Sequence, residues 1–408
     1  MKPEILKNSS YLIFAQGATK VISFVYTIFL ARSLGVENFG LFTLALSYFA
    51  LISAISDLGL SRYLYREISI DENKSSTLLP AAFLIRAVIT TYIFAAFALL
   101  LPVFDNSKIR VGLILLAVLA TLPQTLALTL DNFFVARRKL FFSAVGILLV
   151  SVTTALIGTL FLIKGVGVLA PLLALIFGQL ISVFILTYFL FKQKIHLSYK
   201  VSVQSLTQII KGSLPYGIVV ILGIFYFKID TLLLSYFKGA YDTGIYGAAY
   251  KFLEAIIFIP SAIALALFPV LAKLSLTNQK EVYRIYSKAL RFNLLISLLV
   301  AVLYFFVLPL FIEQFLPQFI KAIEVIKILT ITIPLVFMIS IQSIILFSQK
   351  KYLTALIVIS VFNLVLNIIL NVILIPKYSY IGSAWTTVAS DLIGFLIFYF
   401  FIKLQYER

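Results

Sequence analysis

The sequence predicts an all-α, polytopic membrane protein of about twelve transmembrane helices, and its apolar content and the length of its apolar runs carry that prediction. Of 408 residues, 62% are hydrophobic and 12% charged, whereas a water-soluble chain averages roughly 45–50% apolar and about 25% charged. A spanning helix needs about 20 apolar residues. Windows near that length fall at 10–31, 40–60, 80–102, 111–134, 141–163, 165–191, 209–237, 244–272, 289–311, 323–347, 353–374 and 380–403. Only Lys164, Gly165 and Gly167 separate the fifth window from the sixth, and fusing the two leaves eleven.

The connections between windows alternate in charge, and the cytoplasmic face of a membrane protein keeps the excess of Lys and Arg. One side collects Lys2 and Lys7, then Arg62, Arg66 and Lys74, then Arg137, Arg138 and Lys139. Lys192, Lys194, Lys200 and Lys211 follow, then Lys273, Lys280, Arg284, Lys288 and Arg291, and finally Lys350, Lys351, Lys403 and Arg408. That is 21 basic residues against 8 on the other side, which are Arg32, Lys108, Arg110, Lys164, Lys238, Lys321, Lys327 and Lys377. An even helix number with both termini cytoplasmic satisfies the alternation.

The net charge of +17 and pI near 9.7 then reflect loops facing anionic lipid head groups, with no nucleic acid implied. No cleavable signal peptide is expected, because the first apolar stretch runs on without an A-x-A-like site and contains Lys20. Cysteine is absent, which excludes disulfides, thiolate metal sites and cysteine nucleophiles. The one histidine, His196, lies in a basic connection and is expected at the surface. Walker-type, HExxH and G-x-S-x-G motifs are missing, so a cofactor-free transporter is expected, driven by an ion gradient, by substrate energetics or by another protein.

Residues 192–208 form the longest polar connection, with six windows on each side. Two six-helix bundles, 1–200 and 201–408, are therefore expected. At an offset of 204, Leu30, Gly35, Gly40, Ala45 and Ile52 match Leu234, Gly239, Gly244, Ala249 and Ile256, and Phe42 aligns with Tyr246. Both copies sit in a short outer turn opening the second helix of their half, as in a parallel internal repeat. Gly35 and Gly239 suit a positive φ at a helix end, Gly40 and Gly244 suit close packing, and Asn38 and Asp242 are placed to cap the next helix. Pro215, Pro260, Pro269 and Pro334 mark bends. Asn363, Asn367 and Asn371, four apart, form a stripe able to tie helices together.

Ionisable residues inside apolar segments cost at least a few kcal/mol and so face protein or a water-filled cavity. They are Lys20, Arg86, Lys228, Asp230, Lys251, Glu254 and Asp391. Lys251 and Glu254, three apart, can pair on one face, whereas Lys228 and Asp230, two apart, diverge. Lys20, Arg86 and Lys228 then seek a partner elsewhere. Either they bridge to Asp57, Asp230 or Asp391, or they line a cavity and attract an anionic substrate. Gln16 shares a helix face with Lys20. The candidate substrate-binding residues are Lys20, Arg86, Lys228 and Gln16; the candidate coupling or gating residues are Asp230, Asp57, Lys251 and Glu254.

Residues 31–69, with Ala31-Arg32, Leu34-Gly35, Phe39-Gly40, Asp57-Leu58-Gly59 and Arg66-Glu67, closely resemble the opening signature of the Wzx-type (O-antigen) polysaccharide flippases. These form a branch of the multidrug/oligosaccharidyl-lipid/polysaccharide (MOP) exporter superfamily. Residues 228–274 resemble the later signature through Asp230, Gly239, Gly244-Ile245-Tyr246, Ala249-Tyr250 and Phe268-Pro269. The resemblance implies a MOP/MATE-like fold in the cell membrane. It also implies alternating-access movement of a polyprenyl-pyrophosphate- or dolichyl-phosphate-linked oligosaccharide to the outer leaflet, with glycan-assembly enzymes as possible partners and a monomer as the expected state. Coupling to a proton or sodium gradient is a further expectation. The same superfamily leaves a second reading open, a cation-coupled multidrug exporter. The chain departs from many relatives in being shorter, with very short outer loops.

Overall fold

Apolar runs in lipid can satisfy their backbone polar groups by forming helices, and every long element here is one. The computed structural model describes residues 3–193, 202–275 and 277–406; His196, Lys194 and Lys200 lie outside them. The helices are α1 (Pro3–Asp57), α2 (Leu60–Ile70), α3 (Ser75–Phe104), α4 (Lys108–Leu119), α5 (Thr121–Ala136), α6 (Leu140–Ile163) and α7 (Leu169–Lys192). They continue as α8 (Val203–Lys238), α9 (Ala240–Leu274), α10 (Gln279–Phe315), α11 (Ala322–Leu329), α12 (Thr332–Phe347) and α13 (Leu353–Tyr406).

Among the described residues nine helical stretches are long and apolar enough to cross a membrane, or ten if α11 and α12, bent by 46° at their break, act as one span. Two of the nine are double length. The stretch Phe14–Asp57 has 44 residues and α13 has 54, about 66 and 80 Å of helix at 1.5 Å per residue, against a bilayer core of about 30 Å. Each is broken by a single non-helical residue, Gly35 (φ 74°, ψ 172°) in α1 and Ser379 (φ 51°, ψ −134°) in α13. These breaks fall between the first and second and between the last two apolar windows. The fifth and sixth windows stay separate, as α6 and α7, because Gly165 (φ 80°) and Gly167 (φ 67°) turn the chain.

The chain forms two compact units. One comprises the residues up to Leu34 together with Leu41–Ile224, and the other comprises Gly35–Gly40 with Phe225–Arg408. The division falls inside α8, whereas a boundary at 200/201 was expected from the polar connection. In the first unit Leu64, Ile68, Leu79, Phe133, Phe134 and Leu186 form an apolar core. In the second, Val282, Tyr286, Ile341, Ile345, Phe398 and Ile402 do so. Large apolar side chains such as Phe14, Leu99, Phe104 and Phe184 are exposed, as a lipid-facing exterior requires.

The repeated glycines have the same backbone conformation: Gly239 (φ 83°, ψ −169°) closely reproduces Gly35, in a region essentially confined to glycine. The second pair packs reciprocally. A Cβ on Gly40 would strike the carbonyl of Ala240, and a Cβ on Gly244 would strike the carbonyl of Val36. Val36 and Ala240 are themselves equivalent at the 204-residue offset. Asp242 does not cap α9: its carboxylate accepts a hydrogen bond from Ser379, at the break in α13. Pro215 lies inside a continuous α8, and Pro334 occupies the first turn of α12, just past the bend. The short helix α2 was not anticipated; Leu60, Leu64 and Ile68, four apart, bury one face of it.

Candidate functional site

Lys228 and Asp230 lie two positions apart on α8, which turns them about 200° from each other at 3.6 residues per turn. They enter different networks. Lys228 Nζ crosses to Glu254 Oε1 on α9, and Lys251 Nζ, one turn before Glu254, holds Oε2 at 2.7 Å. The pairing of Lys251 with Glu254 is the one the spacing suggested; the second cation arrives from another helix. Two ammonium groups on one carboxylate leave a net positive charge. The side chains of Lys228, Lys251 and Glu254 are 18%, 27% and 28% exposed, so this cluster keeps an open edge.

Asp230 turns the other way, into the second unit, and is 2% exposed. Tyr246 Oη and Thr387 Oγ1 donate to its Oδ2 at 2.8 and 2.9 Å, and Asn371 Nδ2 donates to its Oδ1 at 2.6 Å. Asn371 Nδ2 also reaches Asn367 Oδ1 at 2.9 Å, and Asn367 Nδ2 donates to Ser390 Oγ at 3.2 Å. Three acceptors around one nitrogen (Asp230 Oδ1, Asn367 Oδ1 and the Asn367 carbonyl) set the orientation of the Asn371 amide, since a flip would oppose oxygen to oxygen. Its own Oδ1 is buried with no partner. The asparagine stripe therefore ties α13 to α8, as its spacing suggested, and also surrounds a carboxylate.

A second acid adjoins this network. Asp391, 3% exposed, accepts hydrogen bonds from Tyr226 on Oδ1 and Thr332 on Oδ2, and Tyr226 Oη lies 3.1 Å from Ser390 Oγ. Asp391 was visible in the sequence as a deep acid but not among the candidate site residues. Its partners lie 165 and 59 positions away, and no local spacing signals them.

In the first unit Arg86 makes the bridge to Asp57 that was one of the two arrangements left open by the sequence. Its guanidinium is fully buried. Nη2 pairs with Asp57 and donates to Ser61 Oγ at 2.7 Å, while Nη1 donates to Thr129 Oγ1 at 2.7 Å and to the Thr125 carbonyl at 3.2 Å. Asp57, a coupling candidate, is spent on the same bridge and also accepts from Ser61 Oγ at 2.6 Å. Lys20 and Gln16 lie exposed along α1. A cavity of about 310 Å³ in this unit is lined by Thr19, Tyr26, Gln124, Asp131, Gln179 and Ser182 among others, with no basic residue on its wall. The structure thus brings Lys228, Lys251 and Glu254 together, joins Arg86 to Asp57, and leaves Lys20 and Gln16 outside both groups. Among the described residues no cluster of three or more His, Cys, Asp or Glu is placed to hold a metal ion.

The family profile described as "Polysaccharide biosynthesis protein" matches residues 5–275, and the profile described as "MatE" matches residues 215–373. No curated protein matches the chain. Among solved structures, an inward-facing multidrug resistance MATE family transporter of the MOP superfamily superimposes with TM-score 0.80 at 14% identity, over 94% of this chain and 95% of that one. The lipid II flippase MurJ, in an inward closed conformation, gives TM-score 0.74 at 18% identity, over 96% and 87%. A MOP superfamily transporter from Pyrococcus furiosus, described as having a binding pocket of reverse polarity, gives 0.69 at 16%, over 98% and 95%. At these identities the likeness is one of fold. The chain belongs to the polysaccharide biosynthesis protein family and is a multi-pass membrane protein with the fold of the MOP-superfamily transporters.

Proposed function

We propose that the protein is a flippase that carries a lipid-linked oligosaccharide, joined through polyprenyl pyrophosphate or dolichyl phosphate, from the inner to the outer leaflet by alternating access. The observation that carries this reading is the half-open cluster of Lys228 and Lys251 around the single carboxylate of Glu254. A phosphate is the anionic part of such a cargo, and it competes with Glu254 for the two ammonium groups. Glu254 then acts as the resident counter-ion that holds the site closed when no cargo is present. Exposed Lys20 and Gln16 supply further polar contacts, and Asp230 is the coupling carboxylate for a proton or sodium gradient. The family match over residues 5–275 supports a polysaccharide-linked substrate.

In this reading the two broken long helices count as four crossings, giving twelve with the bent pair, and both termini and the 192–208 connection are cytoplasmic. The chain works as a monomer among anionic lipids, supplied by glycan-assembly enzymes. A cysteine at position 196, on this cysteine-free background, is labelled only from the inside; labelling from outside in intact cells refutes the orientation.

A second reading, a cation-coupled multidrug exporter, has its support in the solved structures, where the multidrug transporter's TM-score of 0.80 exceeds the 0.74 of the lipid II flippase. Against it, Asp57 is paired with Arg86 and Glu254 with two lysines. Proteoliposomes holding the purified protein and a fluorescent lipid-linked oligosaccharide decide between them, with and without proton and sodium gradients. Sugar-lipid translocation supports the flippase; drug efflux without it supports the exporter.

A further inference from the structure

The cavity of about 310 Å³ in the first unit offers nothing to a phosphate, since no basic residue lines it among the described residues. It opens along α1, where Ser23 both lines it and is exposed. Several of its polar side chains have groups to spare. Gln179 and Ser182 on α7 are 8% and 3% exposed and meet no hydrogen-bond partner among the described residues. Thr19 Oγ1 on α1 is buried without a partner. Asp131 on α5 accepts from Ser143 on Oδ1 alone, which leaves its Oδ2 open. Gln124 Oε1 already accepts from Ser53 at 2.7 Å, so what Gln124 has left is its NH2 donor.

Buried polar groups are normally paired, and here the unpaired ones converge on one space. The set is mixed: a carboxylate oxygen accepts, amide NH2 groups donate, and hydroxyls do either. A polyol matches that mixture, because each of its own hydroxyls both donates and accepts. An anion does not, since it would be buried with no base to pair it. Tyr26 lines the cavity as well, and a Cβ on Gly158 would fall 1.7 Å from its Oη, so that glycine is what lets the ring sit here. The aromatic face, with Leu128, Ile147 and Leu175 on the same wall, suits the C–H face of a pyranose. The volume lies at the low end of ligand pockets, about 300–1,000 Å³, and gives room for one ring rather than a chain of them.

We infer that this cavity is a subsite for one uncharged sugar ring, held by Asp131, Gln179, Ser182, Thr19 and Gln124 with Tyr26 against its apolar face. It rests on the flippase reading for the source of the ring, and it adds which part of the glycan is selected: a neutral hexose-type ring, in preference to a uronic acid. Lys20, exposed one turn before Ser23 on α1, gives the anionic linkage a partner outside the mouth. The ring that enters is therefore the one joined to that linkage.

The test is calorimetric titration of the full-length protein in lipid nanodiscs with geranyl phosphate alone and with geranyl phosphate carrying glucose, galactose, N-acetylglucosamine or glucuronic acid. The expected result is that at least one neutral ring tightens binding about tenfold or more over geranyl phosphate, while glucuronic acid does not. Asp131→Asn, Gln179→Ala and Ser182→Ala each reduce that gain and leave the affinity for geranyl phosphate unchanged, whereas Lys228→Gln weakens every probe alike. Gln179→Ala and Ser182→Ala strand no partner, so they cover the case in which Asp131→Asn, which alters the acceptor of Ser143, fails to fold. No gain from any neutral ring, a gain that survives all three cavity variants, or an equal gain from glucuronic acid overturns the proposal. Tetraphenylphosphonium binding that Asp131→Asn abolishes, with no ring gain, assigns the cavity to a cation and overturns it too. Failure of the flippase reading shows separately, as absent sugar-lipid translocation with the ring gain intact; translocation without any ring gain refutes the subsite alone.

Discussion

Replacing Asp57 with alanine strands the Arg86 guanidinium inside the first unit. Arg86 is fully buried, and its Nε already lacks a hydrogen-bond partner. Breaking one side of a buried ion pair costs about 3–5 kcal/mol. Ser61, Thr129 and the Thr125 carbonyl still accept from the guanidinium in the variant, which places the ionic loss near the lower end of that range. Asp57 also accepts from the Ser61 amide at 3.3 Å, at the start of α2, and losing such a cap adds about 1 kcal/mol. The expected destabilisation is therefore about 4 kcal/mol. Asp57→Ala combined with Arg86→Leu recovers most of it, because no buried charge is left unpaired. Denaturation in lipid nanodiscs measures the stability, and translocation normalised to folded protein measures the function. If Arg86→Gln leaves stability unchanged but cuts translocation per folded molecule tenfold or more, the guanidinium serves the substrate and the structural reading fails.

Gly40→Val and Gly244→Val each lower stability by about 1–3 kcal/mol through overpacking, whereas Gly17→Ala and Gly223→Ala, inside α1 and α8 with an added Cβ that meets nothing within 4 Å, leave thermal unfolding in detergent unchanged or raise it slightly. Lys228→Gln and Lys251→Gln each remove a contact of about 1.5–3 kcal/mol to a charged group, so translocation of a phosphate-linked sugar falls about ten- to a hundredfold; an unchanged rate in both removes the lysine cluster from substrate binding. At the turn between α3 and α4, the Arg110 guanidinium hydrogen-bonded to Asp105 (Nη2 to Oδ1 at 2.7 Å) holds that carboxyl below its ordinary value. A depressed carboxylate stabilises above its unfolded pKa of about 3.9 and loses that stabilisation as pH falls through the folded value. Hydrogen-exchange protection of residues 105–110 is thus flat from neutral pH down to about 5 and is lost only below about 4; loss between pH 7 and 5 contradicts this.

Several features of the candidate sites were legible along the chain. The i,i+3 spacing of Lys251 and Glu254 announced their pair, and the divergence of Lys228 from Asp230 followed from helical geometry. The four-residue asparagine stripe pointed to one face of one helix. The 204-residue offset marked Gly35, Gly40, Gly239 and Gly244, though not the reciprocal seating of each copy against the other's carbonyl. Arg86 could have bridged to an acid on another helix or lined a cavity, and sequence spacing does not rank these. The short helix α2 lies below the length that a search for spanning windows detects.

Sequence alone determined that this chain is a bundle of membrane-crossing helices with a repeated glycine turn, because hydropathy over a bilayer's thickness and a backbone conformation reserved to glycine are local properties. Tertiary structure alone decided which buried charges are paired and which are not. Asp57 meets Arg86 across 29 positions, Glu254 meets Lys228 across 26, and Asp391 meets Tyr226 across 165. In a low-dielectric interior the partner of a charge is whatever side chain a helix crossing brings within about 3 Å, and that crossing is set by packing along whole helices, not by spacing within any one of them.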